Sequence, residues 1–147
     1  MENRKLGNSG LRVPEIGLGG NTFGWVVDEK TSAAIINCAF ELGINYIDTA
    51  DIYGRGSSEE HIGKALKGKR SQVIIATKFG YPRGLSPDVQ GGSRNYLMKA
   101  IESSLKRLST DYIDIYYIHF PDTATPILPD KRHRLYRKFG RPAGLSR

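Results

Sequence analysis

Asn45-Tyr46-Ile47-Asp48-Thr49-Ala50-Asp51-Ile52-Tyr53-Gly54 runs an apolar strand into a carboxylate, and five residues beyond Asp48 it places a tyrosine in the loop that follows. Two more stretches repeat the design of an apolar run that ends in a polar group. They are Val73-Ile74-Ile75-Ala76-Thr77-Lys78 and Tyr112-Ile113-Asp114-Ile115-Tyr116-Tyr117-Ile118-His119. Val73–Thr77 is β-branched and uncharged, the texture of a strand buried on both faces in a parallel sheet. Asp48, Tyr53, Lys78 and His119 are therefore expected to gather at one rim of such a sheet, where α/β folds place their chemistry.

The segments between these strands read as helices. Asp28 or Thr31 caps a helix running to about Leu42, with Ala34, Ile35, Cys38, Ala39 and Leu42 as its apolar face and Gly43 as its stop. Ser57 or Ser58 opens a second helix, with the acids Glu59 and Glu60 at its positive end and Gly68 after it. Ser93 caps a third, in which Leu97, Ala100, Ile101, Ser104, Leu105 and Leu108 recur at helical spacing. Ahead of these, residues 3–13 alternate around Gly7-Asn8-Ser9-Gly10 as a β-hairpin does. Glu15–Gly20 is a short strand that runs into glycines. The predicted order is a hairpin followed by βαβαβαβ, which implies an α/β fold with a parallel sheet and right-handed crossovers.

A length of 147 residues suits one domain with a sizeable core, or a piece of something larger. The net charge of +7 is unevenly placed: residues 123–147 hold seven Lys and Arg against Asp130, which is +6 and leaves +1 for the first 122. A near-neutral body with a basic tail does not look like a nucleic-acid surface. The single Cys38 rules out a disulfide framework and suggests a reducing, cytoplasmic setting. Met1–Lys5 has no apolar run behind it to act as a signal peptide, and no stretch reaches the roughly 18 apolar residues of a membrane span. His61, His119 and His133 lie far apart, so no metal site is expected, and no Gly-x-Gly-x-x-Gly supports a Rossmann cofactor site.

Taken in order, Asp48-Thr49-Ala50 with Tyr53-Gly54, Ser58-Glu59, Thr77-Lys78-Phe79-Gly80 and Ile118-His119 with Pro121 resemble the signatures of the aldo-keto reductase family. Arg4-Lys5-Leu6-Gly7 and Leu18-Gly19-Gly20 are similar to that family's start, so the resemblance covers about residues 3–127. It implies a (β/α)8 TIM barrel closed at the bottom by the hairpin, here only the N-terminal hairpin and the first four βα units. It also implies reduction of a small aldehyde or ketone with hydride from a nicotinamide cofactor, usually NADPH, with NADH as the alternative. Hydride arriving at the carbonyl carbon leaves charge on oxygen, which needs a proton donor. By resemblance Tyr53 is that general acid/base, Lys78 poises it because an ammonium favours the phenolate form, and Asp48 fixes Lys78. His119 would hydrogen-bond the substrate oxygen. Gly19, Gly20, Asn21 and Asp48 are the residues expected against the cofactor.

Each of these residues also has an ordinary reading. A tyrosine after a strand can be packing, Asp48-Thr49 a turn cap, Lys78 a solvated charge, His119 a structural histidine, and Gly19-Gly20 a turn. Asp51 and Glu60 are expected on the surface. From Leu128 the texture departs from the family, with Lys131-Arg132-His133-Arg134 lacking an apolar face and Gly140-Arg141-Pro142-Ala143-Gly144 unable to hold a helix. The expected division is residues 1–127 as the N-terminal half of the barrel and 128–147 as a basic, disordered tail. A reading-frame change near Leu128 is one source of such a tail. A native early stop, an unrelated tail and a sequencing error are the others. A truncated barrel leaves sheet edges and apolar surface open, so little activity alone and self-association of half barrels are expected. The rival functions are a non-enzymatic, nicotinamide-sensing regulatory subunit and an inert fragment whose tail binds acidic surfaces.

Overall fold

The structure, a computed structural model, describes residues 2–81 and 91–123. The expectations for the tail from 128 onward, with its reading frame, fall outside those residues.

Strands β1 (Asn3–Lys5) and β2 (Arg12–Pro14) pair antiparallel, Asn3 opposite Pro14, as the hairpin predicted around Gly7–Gly10. The main sheet has four parallel strands in sequence order: β3 (Leu18–Gly19), β4 (Tyr46–Asp48), β5 (Ile74–Phe79) and β6 (Ile115–Ile118). Register pairs Gly19 with Asp48, Asp48 with Ala76 and Phe79 with Ile118, so the carboxyl ends of the strands lie together along one rim.

Helices α1 (Glu29–Glu41), α2 (Ser57–Ala65) and α3 (Arg94–Arg107) cross back between successive strands. Their starts are capped locally. The Asp28 side chain accepts from the Thr31 N–H and that of Ser93 from the Tyr96 N–H, each meeting a donor that the first turn leaves free. Gly43, at φ 80, follows α1 in the left-handed conformation that a glycine adopts most easily.

The two faces of the sheet differ. Ile47 and Ile75 join Phe23, Ile36, Ile62, Leu66, Val73 and Leu108 in a core between sheet and helices. Phe79 packs on Tyr96 and Ala100 of α3 in a second cluster. Side chains alternate along a strand, so Asp48, Ile74, Ala76 and Lys78 belong to the opposite face. That face holds Asp48 and Lys78, which form an ion pair.

Two predicted faces change on folding. The apolar stripe expected to bury α1 does not: Ile35 is 38% and Leu42 66% exposed, and Ala34 and Cys38 are exposed with them. The buried residues of α1 are Ser32, Ile36 and Ala39. This helix carries two apolar stripes, and the one with Ile36 is taken up by the core. Asp51, expected at the surface, is half-buried and accepts a 2.7 Å hydrogen bond from the Tyr96 hydroxyl. Glu60 is exposed as expected.

Candidate active site

Asp48 ends β4, and the chain continues the pairing beyond the strand: Thr49 N donates to Ala76 O at 2.8 Å and Asp51 N to Lys78 O at 3.0 Å. These bonds hold the loop that carries Tyr53 against the end of β5. Tyr53 then opens a tight turn, Tyr53–Gly56, in which Gly54 and Arg55 are left-handed. His119 follows β6 directly, its N–H donating to Phe79 O at 2.6 Å.

The four predicted side chains meet. Lys78 Nζ donates to the Asp48 carboxylate, to Thr49 O at 2.9 Å and to Tyr53 Oη at 3.5 Å. The Tyr53 and His119 rings stand edge to face with centroids 5.6 Å apart. On its other side His119 stacks on Phe120 at 4.7 Å. The Lys78 side chain is 15% exposed and that of Asp48 33%, so this ion pair sits in a partly dry rim where its charges are screened less than on the surface. Burial, and then the Lys78 ammonium, hold the His119 imidazole below its usual range, with Asp48 opposing them. These influences favour the neutral ring, which has one N–H to give and one nitrogen to accept.

The residues expected against a cofactor are placed less alike. Gly19, paired with Asp48, has nothing within 4 Å of where a side chain would begin, and Asn21 is exposed beside it. Gly20 is buried, and both its backbone groups are used: its N–H donates to Asp48 O at 2.8 Å, and its carbonyl accepts from Ser58 Oγ at 2.7 Å. A Cβ there would lie 3.0 Å from Ser58 Oγ and 3.2 Å from Ile62 Cδ1. Close packing therefore explains Gly20 without a ligand. Gly19, Asn21 and Asp48 leave an open strand end that suits a flat group laid against backbone.

Beneath the rim lies a buried polar network whose structure the sequence reading missed. Ser58 Oγ also shares a 2.8 Å hydrogen bond with Thr49 Oγ1. Glu59, fully buried, accepts from Thr77 Oγ1 at 2.6 Å and from Arg107 Nε at 2.7 Å. Ser58-Glu59 stood out as a helix start and as part of the family resemblance, without its buried contacts. The available signal was a hydroxyl, Thr77, in an otherwise apolar buried strand, with a helix of acidic first turn preceding it.

A model of the aldo/keto reductase family matches residues 15–134 of this chain. The chain belongs to the aldo/keto reductase family. The aldo-keto reductase YhdN of Bacillus subtilis is 44% identical over 133 residues, 86% of this chain and 40% of that protein. A probable voltage-gated potassium channel subunit beta of Arabidopsis thaliana is 38% identical over 131 residues, again 86% of this chain and 40% of that one. Among solved structures, the holo form of an aldo-keto reductase from Bacillus halodurans superposes with a TM-score of 0.77 at 43% identity, over 86% of this chain and 43% of that one. The chain thus spans about two fifths of the length of these relatives.

With the family shown, the hairpin and four parallel strands are the first part of a (β/α)8 barrel. Three βα units and the fourth strand lie within the described residues; the helix expected after β6 does not. Among the described residues no group of three His, Cys, Asp or Glu could hold a metal ion, and no helix is long and apolar enough to cross a membrane.

Proposed function

We propose that this chain carries the acid/base half of a carbonyl-reducing site. A nicotinamide cofactor, NADPH before NADH, would supply the hydride when bound. The observation that carries the reading is the convergence of Asp48, Lys78 and Tyr53 through one ammonium. Tyr53 Oη gives its proton to the carbonyl oxygen as negative charge develops there. Lys78, 3.5 Å away, stabilises the phenolate left behind, and Asp48 together with Thr49 O keeps Lys78 in reach. Neutral His119 orients the same oxygen through a ring N–H, adding a hydrogen bond without a second charge. Gly19, Asn21 and Asp48 would border the cofactor.

By resemblance, the loops that hold the cofactor's phosphates belong to later strands, so these 147 residues alone bind it weakly and turn over little. β3 and β6 carry no outer partner among the described residues, and Ala34, Ile35, Cys38 and Leu42 are exposed, which favours self-association of the isolated chain. The potassium-channel relative supports a second reading, in which the same tetrad serves a cofactor-sensing subunit.

Fusion of residues 1–123 to the remaining part of the Bacillus halodurans reductase tests the proposal. NADPH-dependent reduction of a small aldehyde is expected from the fusion and hardly at all from the 147-residue chain. A folded fusion that binds NADPH without reducing any carbonyl would favour the sensing role. Robust reduction by the chain alone would overturn its dependence on further strands.

A further inference from the structure

A cleft of about 520 Å³ opens between the Tyr53–Gly56 turn and α3, and none of Asp48, Tyr53, Lys78 and His119 lines it. Three cations do. Arg55 comes from the turn, and Lys99 and Arg107 come from α3, with Ser103 between them at four-residue spacing on one helical face. The floor is apolar, made by Ile52, Ala100 and the ring of Tyr96.

The charges are unequally committed. Arg107 is held by Glu59, its Nε and NH2 groups both 2.7 Å from Glu59 Oε2. Arg55 and Lys99 make no ion pair among the described residues. The one carboxylate lining the cleft, Asp51, is engaged by the Tyr96 hydroxyl, and burial disfavours its ionised form. The cleft therefore offers two uncommitted cations above an apolar floor.

The backbone at Arg55 is a second, independent observation. Its φ of 57 and ψ of 36 are left-handed, between Gly54 and Gly56 at φ 56 and 98. Left-handed backbone is uncommon for a residue with a long side chain, and a conformation of that kind, held in place by its surroundings, is concentrated where function requires it. Here it carries a guanidinium to the mouth of the cleft.

We propose that this cleft binds a small organic anion, a phosphate or carboxylate head on a short apolar body. Arg55 and Lys99 hold the head, and Ile52, Ala100 and Tyr96 cover the body. Arg55 suits the head because its guanidinium pairs with a planar oxyanion through two hydrogen bonds.

The test is a titration of the 15N-labelled 147-residue chain with phenyl phosphate, with inorganic phosphate in parallel. Saturable shifts are expected at Arg55, Lys99, Ala100 and Ser103, with phenyl phosphate the tighter ligand. Lys99→Ala and Arg55→Gly should each weaken binding about tenfold, the loss of one charged hydrogen bond. Arg94→Ala, on the far face of α3 and outside the cleft, should leave it unchanged. Both test residues are exposed, and glycine suits the left-handed position, so these variants keep the fold. Shifts scattered over the surface without saturation, equal affinity for the two phosphates, or indifference to Lys99→Ala would each overturn the proposal.

Discussion

Lys78 Nζ lies 3.5 Å from Tyr53 Oη while the Asp48 carboxylate and Thr49 O hold it from the β4 side. One ammonium thus ties the end of β4, the end of β5 and the loop between β4 and α2. The geometry follows from register: Asp48 pairs with Ala76, so Lys78 projects two residues further along the same face. Change either register by one residue and the pair is lost to the opposite face.

The same ammonium acts on His119. Burial and Lys78 both lower its pKa, so the folded chain binds this proton more weakly than the unfolded one. The stability involved is present above the ordinary value of 6.5 and is lost as pH falls from there through the folded value. The His119 ring resonances should titrate with a midpoint below 6.5, and Lys78→Met should move that midpoint upward. A midpoint at or above 6.5 in the unaltered chain would contradict the arrangement.

Asp51 titrates with the opposite sign. Burial, opposed by its hydrogen bond from Tyr96, raises its pKa, so the folded chain holds the proton more tightly. Stability then falls as pH rises from the ordinary 3.8 up through the raised value. Asp51→Asn keeps an acceptor for Tyr96 and removes the charge. Its urea-unfolding free energy should exceed that of the parent by an amount that grows across this window.

Arg107→Ala would leave the fully buried Glu59 without its counter-charge, a loss of about 3–5 kcal/mol. Replacing both partners, as Glu59→Gln with Arg107→Met, should destabilise less than Arg107→Ala alone. Urea denaturation of the three variants checks the order.

Gly63→Ala separates packing from propensity. Alanine in an α-helix interior is favoured over glycine by about 1 kcal/mol. A Cβ at Gly63 would meet Arg107 O and Leu108 C at 2.7 Å, and these are backbone atoms at the end of α3. The clash should win, with a net loss of about 1–3 kcal/mol seen in thermal unfolding.

The tetrad was legible because each member sits at or just after a strand end, and strand ends are marked by an apolar run turning polar. The hairpin, the caps at Asp28 and Ser93 and the strand order were legible for similar, local reasons. The buried face of α1 was not. Periodicity finds stripes but cannot choose between Ile36 and the Ile35–Leu42 stripe, since that choice depends on which elements lie alongside. The contact between Glu59 and Arg107 escaped for a related reason: it joins two charges 48 residues apart that no local pattern pairs. Asp51 followed the same logic, because its partner Tyr96 comes from a helix 45 residues on.

In the proposed reaction Tyr53 gives the proton and Lys78 supports it. The most direct measurement is single-turnover reduction of a small aldehyde by the fusion described above, compared with its Tyr53→Phe and Lys78→Met variants. NADPH affinity, followed by nicotinamide fluorescence, is measured alongside. Each variant is expected to bind NADPH as the parent fusion does and to reduce at least about 100-fold more slowly, the usual contribution of a positioned acid. Reduction by Tyr53→Phe at the parent rate, with cofactor binding unchanged, would contradict it.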